Sequence, residues 1–288
     1  MDGHVDDAVR MLQVTLADHR DDGETHLLLC RAYFSEQQID EALPECQTAV
    51  RLMPRSSSAH DWMGRVYGVK ANGSGPLGGL KLAHQVRDEF EAAASTDPHN
   101  AAAANDLAEY YIGAPALVGG GTDKAEALAD RIAGEMPQTA HRIHALAAEK
   151  RKDYATAERE FQAAVAVKQA PDAWVDLGGF YKNRKQTAKA VDALQHALAT
   201  DRTKDASVVD VASYLMDMHV EPGVATQALQ QYLAGDAKSD AAPVIHVHVL
   251  LGRLRESSGD AAGAKEEFDR ALELAANYGP AKRALQKV

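Results

Sequence analysis

Small and aromatic residues return along this chain at a spacing of 34. Ala8 and Ala42 stand 34 apart, as do Tyr33 and Tyr67. The clearest copy runs through Trp174, Leu177, Gly178 and Tyr181, followed by Ala190, Leu194 and Ala197. Within each copy the apolar residues recur at three- and four-residue steps, the signature of one helix face. A period of this length holds two short helices and a turn. Such a unit cannot bury its apolar face alone and must stack on its neighbours. The pattern therefore restricts the chain to an all-α solenoid of about seven helix-turn-helix hairpins, expected as a right-handed superhelix.

The copies predict hairpins over 23–56, 57–100, 101–137, 138–170, 171–204, 205–242 and 243–276. A half-repeat precedes them over 1–22 and a capping helix follows over 280–288. Pro54, Pro98 and Pro137 end successive units, because proline cannot continue a helix. Pro54 to Pro98 spans 44 residues, ten above the period, and the surplus is expected in an inserted loop at 72–79 around Gly75 and Pro76. Pro98 to Pro137 spans 39, with the extra residues expected in a second loop at 113–121 that includes Gly119, Gly120 and Gly121. Val5, Ala8 and Leu12 stand 34 before Ile39, Ala42 and Cys46, so the chain opens in the second helix of a repeat. Val5, Ala8, Val9 and Leu12 should then present an apolar stripe, and weak head-to-head homodimerisation through it is expected.

The order Trp-x-x-Leu-Gly-x-x-Tyr, then a small residue and an aromatic, resembles the tetratricopeptide repeat, and the resemblance runs over essentially the whole chain. Tyr110–Pro115 leading into Gly119–Ala125, and Trp62–Gly68, are similar to stretches in bacterial members of that family. The resemblance implies that first helices line a concave wall and second helices form the outside. Residues four and seven apart share a helix face. Leu27, Arg31 and Phe34, then Asp61 and Arg65, then Asn105, Glu109 and Ile112 are thus placed on the wall. It also implies a non-enzymatic scaffold that holds a peptide or helix of a protein partner. The subclass that grips acidic chain termini is excluded, since Leu27 and Asp61 stand where it places basic residues. Phe34, flanked by Arg31 and Arg65, is expected to project as an anchor.

The balance of 42 acidic against 31 basic residues, a net charge of −11, argues against a nucleic-acid partner or an anionic membrane surface. No apolar stretch reaches the length of a membrane span, so no membrane insertion is expected. No basic-then-apolar leader opens the chain, which predicts a cytoplasmic location as presented, or a periplasmic or exported one if a signal was trimmed. The run Gly119-Gly120-Gly121-Thr122-Asp123-Lys124 is read chiefly as a turn requiring positive φ, with a small-anion site as the remote alternative. Cys30 and Cys46, the only cysteines, take slots that face each other across one helix pair. Their Cα atoms should lie within disulfide reach whether or not the bond forms. No metal or cofactor motif occurs among the 12 histidines, and no catalytic constellation stands out. A self-associating structural subunit remains the competing functional class.

Overall fold

The computed structural model describes residues 3–288, with Pro76 and Leu77 described by backbone alone. Among these residues all regular structure is helical. A lone helix, α1 (Val5–Asp18), precedes hairpins α2 (Gly23–Ser35) with α3 (Ile39–Leu52) and α4 (Ser57–Asn72) with α5 (Pro76–Thr96). Next come α6 (Ala101–Gly113) with α7 (Thr122–Ile132) and α8 (Pro137–Lys150) with α9 (Tyr154–Lys168). The last pairs are α10 (Pro171–Asn183) with α11 (Thr187–Thr200), α12 (Ala206–Asp217) with α13 (Pro222–Ala234), and α14 (Val244–Ser257) with α15 (Ala261–Leu274). A short α16 (Gly279–Leu285) follows. The fold is an all-α solenoid of helical hairpins.

One side-chain contact closes the hairpins. A β-carbon on Gly64 would lie 2.5 Å from the Phe90 ring and one on Gly178 2.8 Å from Leu194, while one on Gly252 would overlap the Phe268 ring. The first helix must be bare at that point for the second to approach. In the first hairpin Cys30 and Cys46 take the same two places and are joined by a disulfide, with Cα atoms 5.2 Å apart. The separation expected from the facing slots is the one observed.

Five hairpins share one turn. Gln37, Lys152, Lys185, His219 and Gly259 all adopt positive φ. The residue after each donates its backbone N–H to the carbonyl five positions earlier, as Gln186 does to Tyr181 and Asp260 to Arg255. This is the Schellman closure of a helix end. The two hairpins with extra residues depart from it. Between α4 and α5 no long loop forms: only Gly73, Ser74 and Gly75 connect them, and Pro76 to Gly79 belong to α5. The expected breaker run is corrected here. Proline is tolerated at the first helical position, where its missing N–H has no partner to lose. The surplus therefore lengthens the helices to 16 and 21 residues.

A second recurring contact joins the hairpins. His26 Nδ1 lies 2.5 Å from Glu45 Oε2, and His60 Nδ1 lies 2.6 Å from Glu89 Oε2. His141 and Glu160 repeat it at 2.8 Å, and His248 and Glu267 at 2.7 Å. Each histidine stands four residues before the small residue of the closing contact, namely Cys30, Gly64, Ala145 and Gly252.

The helices fall into two compact units. One comprises Val9–Phe34 and Gln38–Lys168. Its core runs from Cys30 and Cys46 through Met63, Val66 and Phe90 to Leu107, Leu128 and Ile143. The other comprises Gln169–Val288 with Ser35–Gln37 and the chain before Val9. Its cores gather Leu194, Val211, Leu229 and Tyr232, and Ile245, Phe268 and Tyr278. Here Val5 packs against the second of these clusters, and Asp6 Oδ2 accepts the Ala276 N–H at 2.8 Å. The first turn of α1 is thus held by the last hairpin of its own chain, a cover the stripe argument did not foresee. Further along α1, Val9 and Leu12 are half-buried and Ala8 is exposed.

Candidate functional site

In the unit built on Val9–Phe34 and Gln38–Lys168, the first helices α2, α4, α6 and α8 are linked by their side chains. The centre is Trp62. Phe34 meets its ring edge-on, with centroids 5.4 Å apart and planes at 78°. The Arg31 guanidinium lies 5.6 Å from the ring centroid and that of Arg65 4.8 Å. An indole flanked by two guanidiniums and an aromatic edge is held in place by quadrupole attraction as well as burial. Trp62 keeps 8% of its surface exposed, so its neighbours rather than its own face meet the solvent.

Arg65 connects this centre to the next helices. Its Nε donates to Asp106 Oδ2 at 2.6 Å, and its Nη2 lies 3.1 Å from Asp61 Oδ2. Two carboxylates thus share one guanidinium. Asp61 is only 4% exposed, and its Oδ1 has no hydrogen-bond partner. Burial pushes its pKa up; Arg65 opposes the shift and Asp106 adds to it. From α8, Arg142 extends the network, its Nη1 donating to Asn105 Oδ1 at 3.1 Å and its Nη2 to Glu109 Oε1 at 2.7 Å. The result is a polar and aromatic strip across four helices whose rotamers are fixed by mutual contacts. Such pre-organisation lowers the ordering cost of binding.

Of the residues placed on the wall by spacing, Arg31, Phe34, Asp61 and Arg65 converge on Trp62, and Asn105 and Glu109 meet at Arg142. Leu27 does not belong to the strip: at 3% exposure it lies in the core, because α2 turns that face toward its neighbours. Ile112 is half-buried against the same core. Phe34 is not a projecting anchor either, since its ring is packed on Trp62. Trp62 and Arg142 complete the site without having been assigned to it by spacing. Trp62 follows Asp61 by one position, at an angle that spacings of four and seven pass over.

The second loop is ordered by its own backbone. Residues 116–118 form a 3-10 turn, and Gly119 has φ of 92°. The Gly119, Gly120 and Gly121 N–H groups donate to the carbonyls of Ala116, Pro115 and Tyr111. None is left to turn toward an anion. Lys124 Nζ is turned back onto the Gly119 carbonyl at 2.8 Å. The three glycines thus supply no donor to an anion site at 119–124. A β-carbon at Gly120 would overlap the Ala114 carbonyl oxygen, so close backbone approach explains that glycine. Tyr110 locks the loop from outside, its hydroxyl 2.8 Å from the Ala83 and Val118 carbonyls.

The His141 and His144 rings face different carboxylates, Glu160 and Asp130. Among the described residues no group of three histidine, cysteine or acidic side chains is arranged to hold a metal ion. No helix among them is long and apolar enough to cross a membrane.

Family models described as tetratricopeptide repeat match residues 1–65 and 245–278. No curated protein matches the sequence. Among solved structures, yeast Tom70 is similar over 99% of this chain and 60% of its own, at 15% identity and a TM-score of 0.55. The APC/C hetero-tetramer Cut9–Hcn1 is similar over 99% of this chain and 53% of its own, at 15% identity and a TM-score of 0.45. A thermophilic TPR protein of Thermus thermophilus has 17% identity over 74% of this chain and 91% of its own, with a TM-score of 0.47. The chain spans about half the length of the Cut9–Hcn1 chain it matches. At these identities the likeness concerns the fold alone.

Proposed function

We propose that this chain, matched by tetratricopeptide-repeat models over residues 1–65 and 245–278, is a scaffold for protein–protein interaction that holds a partner segment across the first helices α2, α4, α6 and α8. The observation that carries this reading is the fixed strip from Phe34 and Arg31 through Trp62 and Arg65 to Asp106 and Arg142. Tryptophan, tyrosine and arginine dominate binding hot spots because they combine area, polarity and few moving parts. The strip offers guanidinium planes on an aromatic floor at one end and the exposed Glu109 carboxylate at the other. A peptide or helix with both an aromatic or acidic group and a basic one suits it better than a tail of one charge sign. Proteins of this repeat family are generally non-enzymatic, which accords with a binding role.

Affinity capture from the source cells tests this. Arg31→Ala and Phe34→Ala should each weaken retention of the captured partner about fivefold or more, the range expected for a contact worth roughly 1 kcal/mol. Helicity should be unchanged. Full retention in both variants would remove this face from the account.

A further inference from the structure

Two surfaces of this chain lack a counterpart within it, and their chemistry matches. The first is the outer face of α1. Met11 is 71% exposed and Val14 69%, among the most exposed large apolar side chains of the described residues. Asp18 stands seven positions beyond Met11 and four beyond Val14, and so shares their face. It closes the last turn of α1, where no basic residue offsets the negative end of the helix dipole. Among the described residues the Asp18 carboxylate makes no hydrogen bond or ion pair.

The second surface is a cavity of about 390 Å³ where the C-terminal end of α12 and the turn into α13 meet α14. Leu215, Met216, Val220, Pro222 and Leu254 form its apolar lining, with Arg253, His219 and Ser257 as the polar lining and no carboxylate. Arg253 is exposed, and its guanidinium makes no hydrogen bond or ion pair among the described residues. Its charge is felt nearby, since burial first and Arg253 second hold His246 below its ordinary value. A chain of net charge −11 thus carries an apolar socket lined by an unpaired guanidinium, and elsewhere an apolar ridge ending in an unpaired carboxylate.

We propose that the α1 face of a second copy of this chain docks in the α12–α14 socket, Met11 and Val14 entering the apolar cavity and Asp18 pairing with Arg253. One side chain of this size fits a cavity of this volume, and the second covers its rim. The contact uses two different surfaces, so it is head-to-tail. Each added copy leaves a free ridge and a free socket, and association continues past the dimer unless rotation closes a ring. Its dependence on Arg253 separates it from a head-to-head pairing of two α1 helices, which leaves the socket unused. The partner strip of α2, α4, α6 and α8 takes no part.

Sedimentation velocity of the full chain over a wide concentration range tests the proposal. The mean mass should rise with concentration above that of a single chain. Arg253→Asp and Asp18→Arg should each weaken association about tenfold or more, and the two changes combined in one chain should restore it. Met11→Glu should weaken it equally while keeping wild-type helicity, because the residue is exposed. A chain that remains monomeric at every concentration would overturn the proposal. So would association that Arg253→Asp leaves unchanged, or a charge-swapped chain that fails to recover while each single variant keeps its helicity.

Discussion

Glu89→Gln isolates the clasp that joins α4 to α5. In the intact protein His60 Nδ1 faces Glu89 Oε2 at 2.6 Å, and Nε2 faces the Pro54 carbonyl at 3.2 Å. Both ring nitrogens meet acceptors, so the doubly protonated imidazolium satisfies the site best. The hydrogen bond to Glu89 accordingly raises the His60 pKa above 6.5; burial opposes it, and the Pro54 carbonyl and the Glu89 charge support it. A folded value above the unfolded one means that the clasp stabilises fully below about pH 6.5 and is lost as pH rises through the folded value. The side chains keep 13% and 22% exposure, so the low end of the range for charged hydrogen bonds applies, about 1 to 1.5 kcal/mol. The amide keeps the size of Glu89 and removes its charge. Native-state hydrogen exchange, corrected for intrinsic rates, should show residues 57–96 opening about tenfold more readily in the variant near pH 6. The excess should shrink by half or more near pH 8.5. Distant hairpins should be little affected, since repeats couple mainly to their neighbours. An effect equal at both pH values, or larger at the higher one, would refute the charged clasp.

The other clasps extend the pH argument from the acid side. Burial works against Glu160 and Glu267, yet the hydrogen bonds from His141 and His248 hold both below 4.5. Their contribution is present above about pH 4.5 and lost as pH falls through the depressed values, so urea midpoints should peak between about pH 4.5 and 6.5. A β-carbon at Gly252 would overlap the Phe268 ring, and Gly252→Ala should destabilise the last full hairpin by about 1 to 3 kcal/mol in urea titration. Reducing the Cys30–Cys46 bond, which spans a separation of 16, should lower the stability of the first hairpin by up to about 3 kcal/mol without unfolding the rest, as exchange across residues 23–52 would show.

The class of fold was legible because one packing contact recurs. Gly178 with Leu194 and Gly252 with Phe268 repeat at a separation of 16, and Cys30 with Cys46 keeps it. The α4–α5 hairpin departs from the loop that its glycines and proline predict, because α5 starts at Pro76 itself. Proline at a helix start and glycine on an exposed face cost the helix only modestly. The site was legible in part. Spacing along one helix selects residues that share a stripe, and it found Arg31, Asp61 and Arg65. It cannot tell how far that stripe is rotated toward the core, which is where Leu27 went, nor that Trp62 would sit beneath the guanidiniums. The histidine clasps escaped for a related reason. Ligand spacings within one helix do not reveal His26 and Glu45, which meet across a turn, although the repeat of the pair at His141 and Glu160 and at His248 and Glu267 was there to align.

Amide exchange on the complex with the captured partner tests the central claim most directly. If the strip through Trp62 holds the partner, protection gained on binding falls on the first helices, over 23–35, 57–72, 101–113 and 137–150. The second helices between them should change little. Protection confined to 39–52, 76–96 and 122–132, or absent from all four first helices while the complex stays intact, would contradict the account.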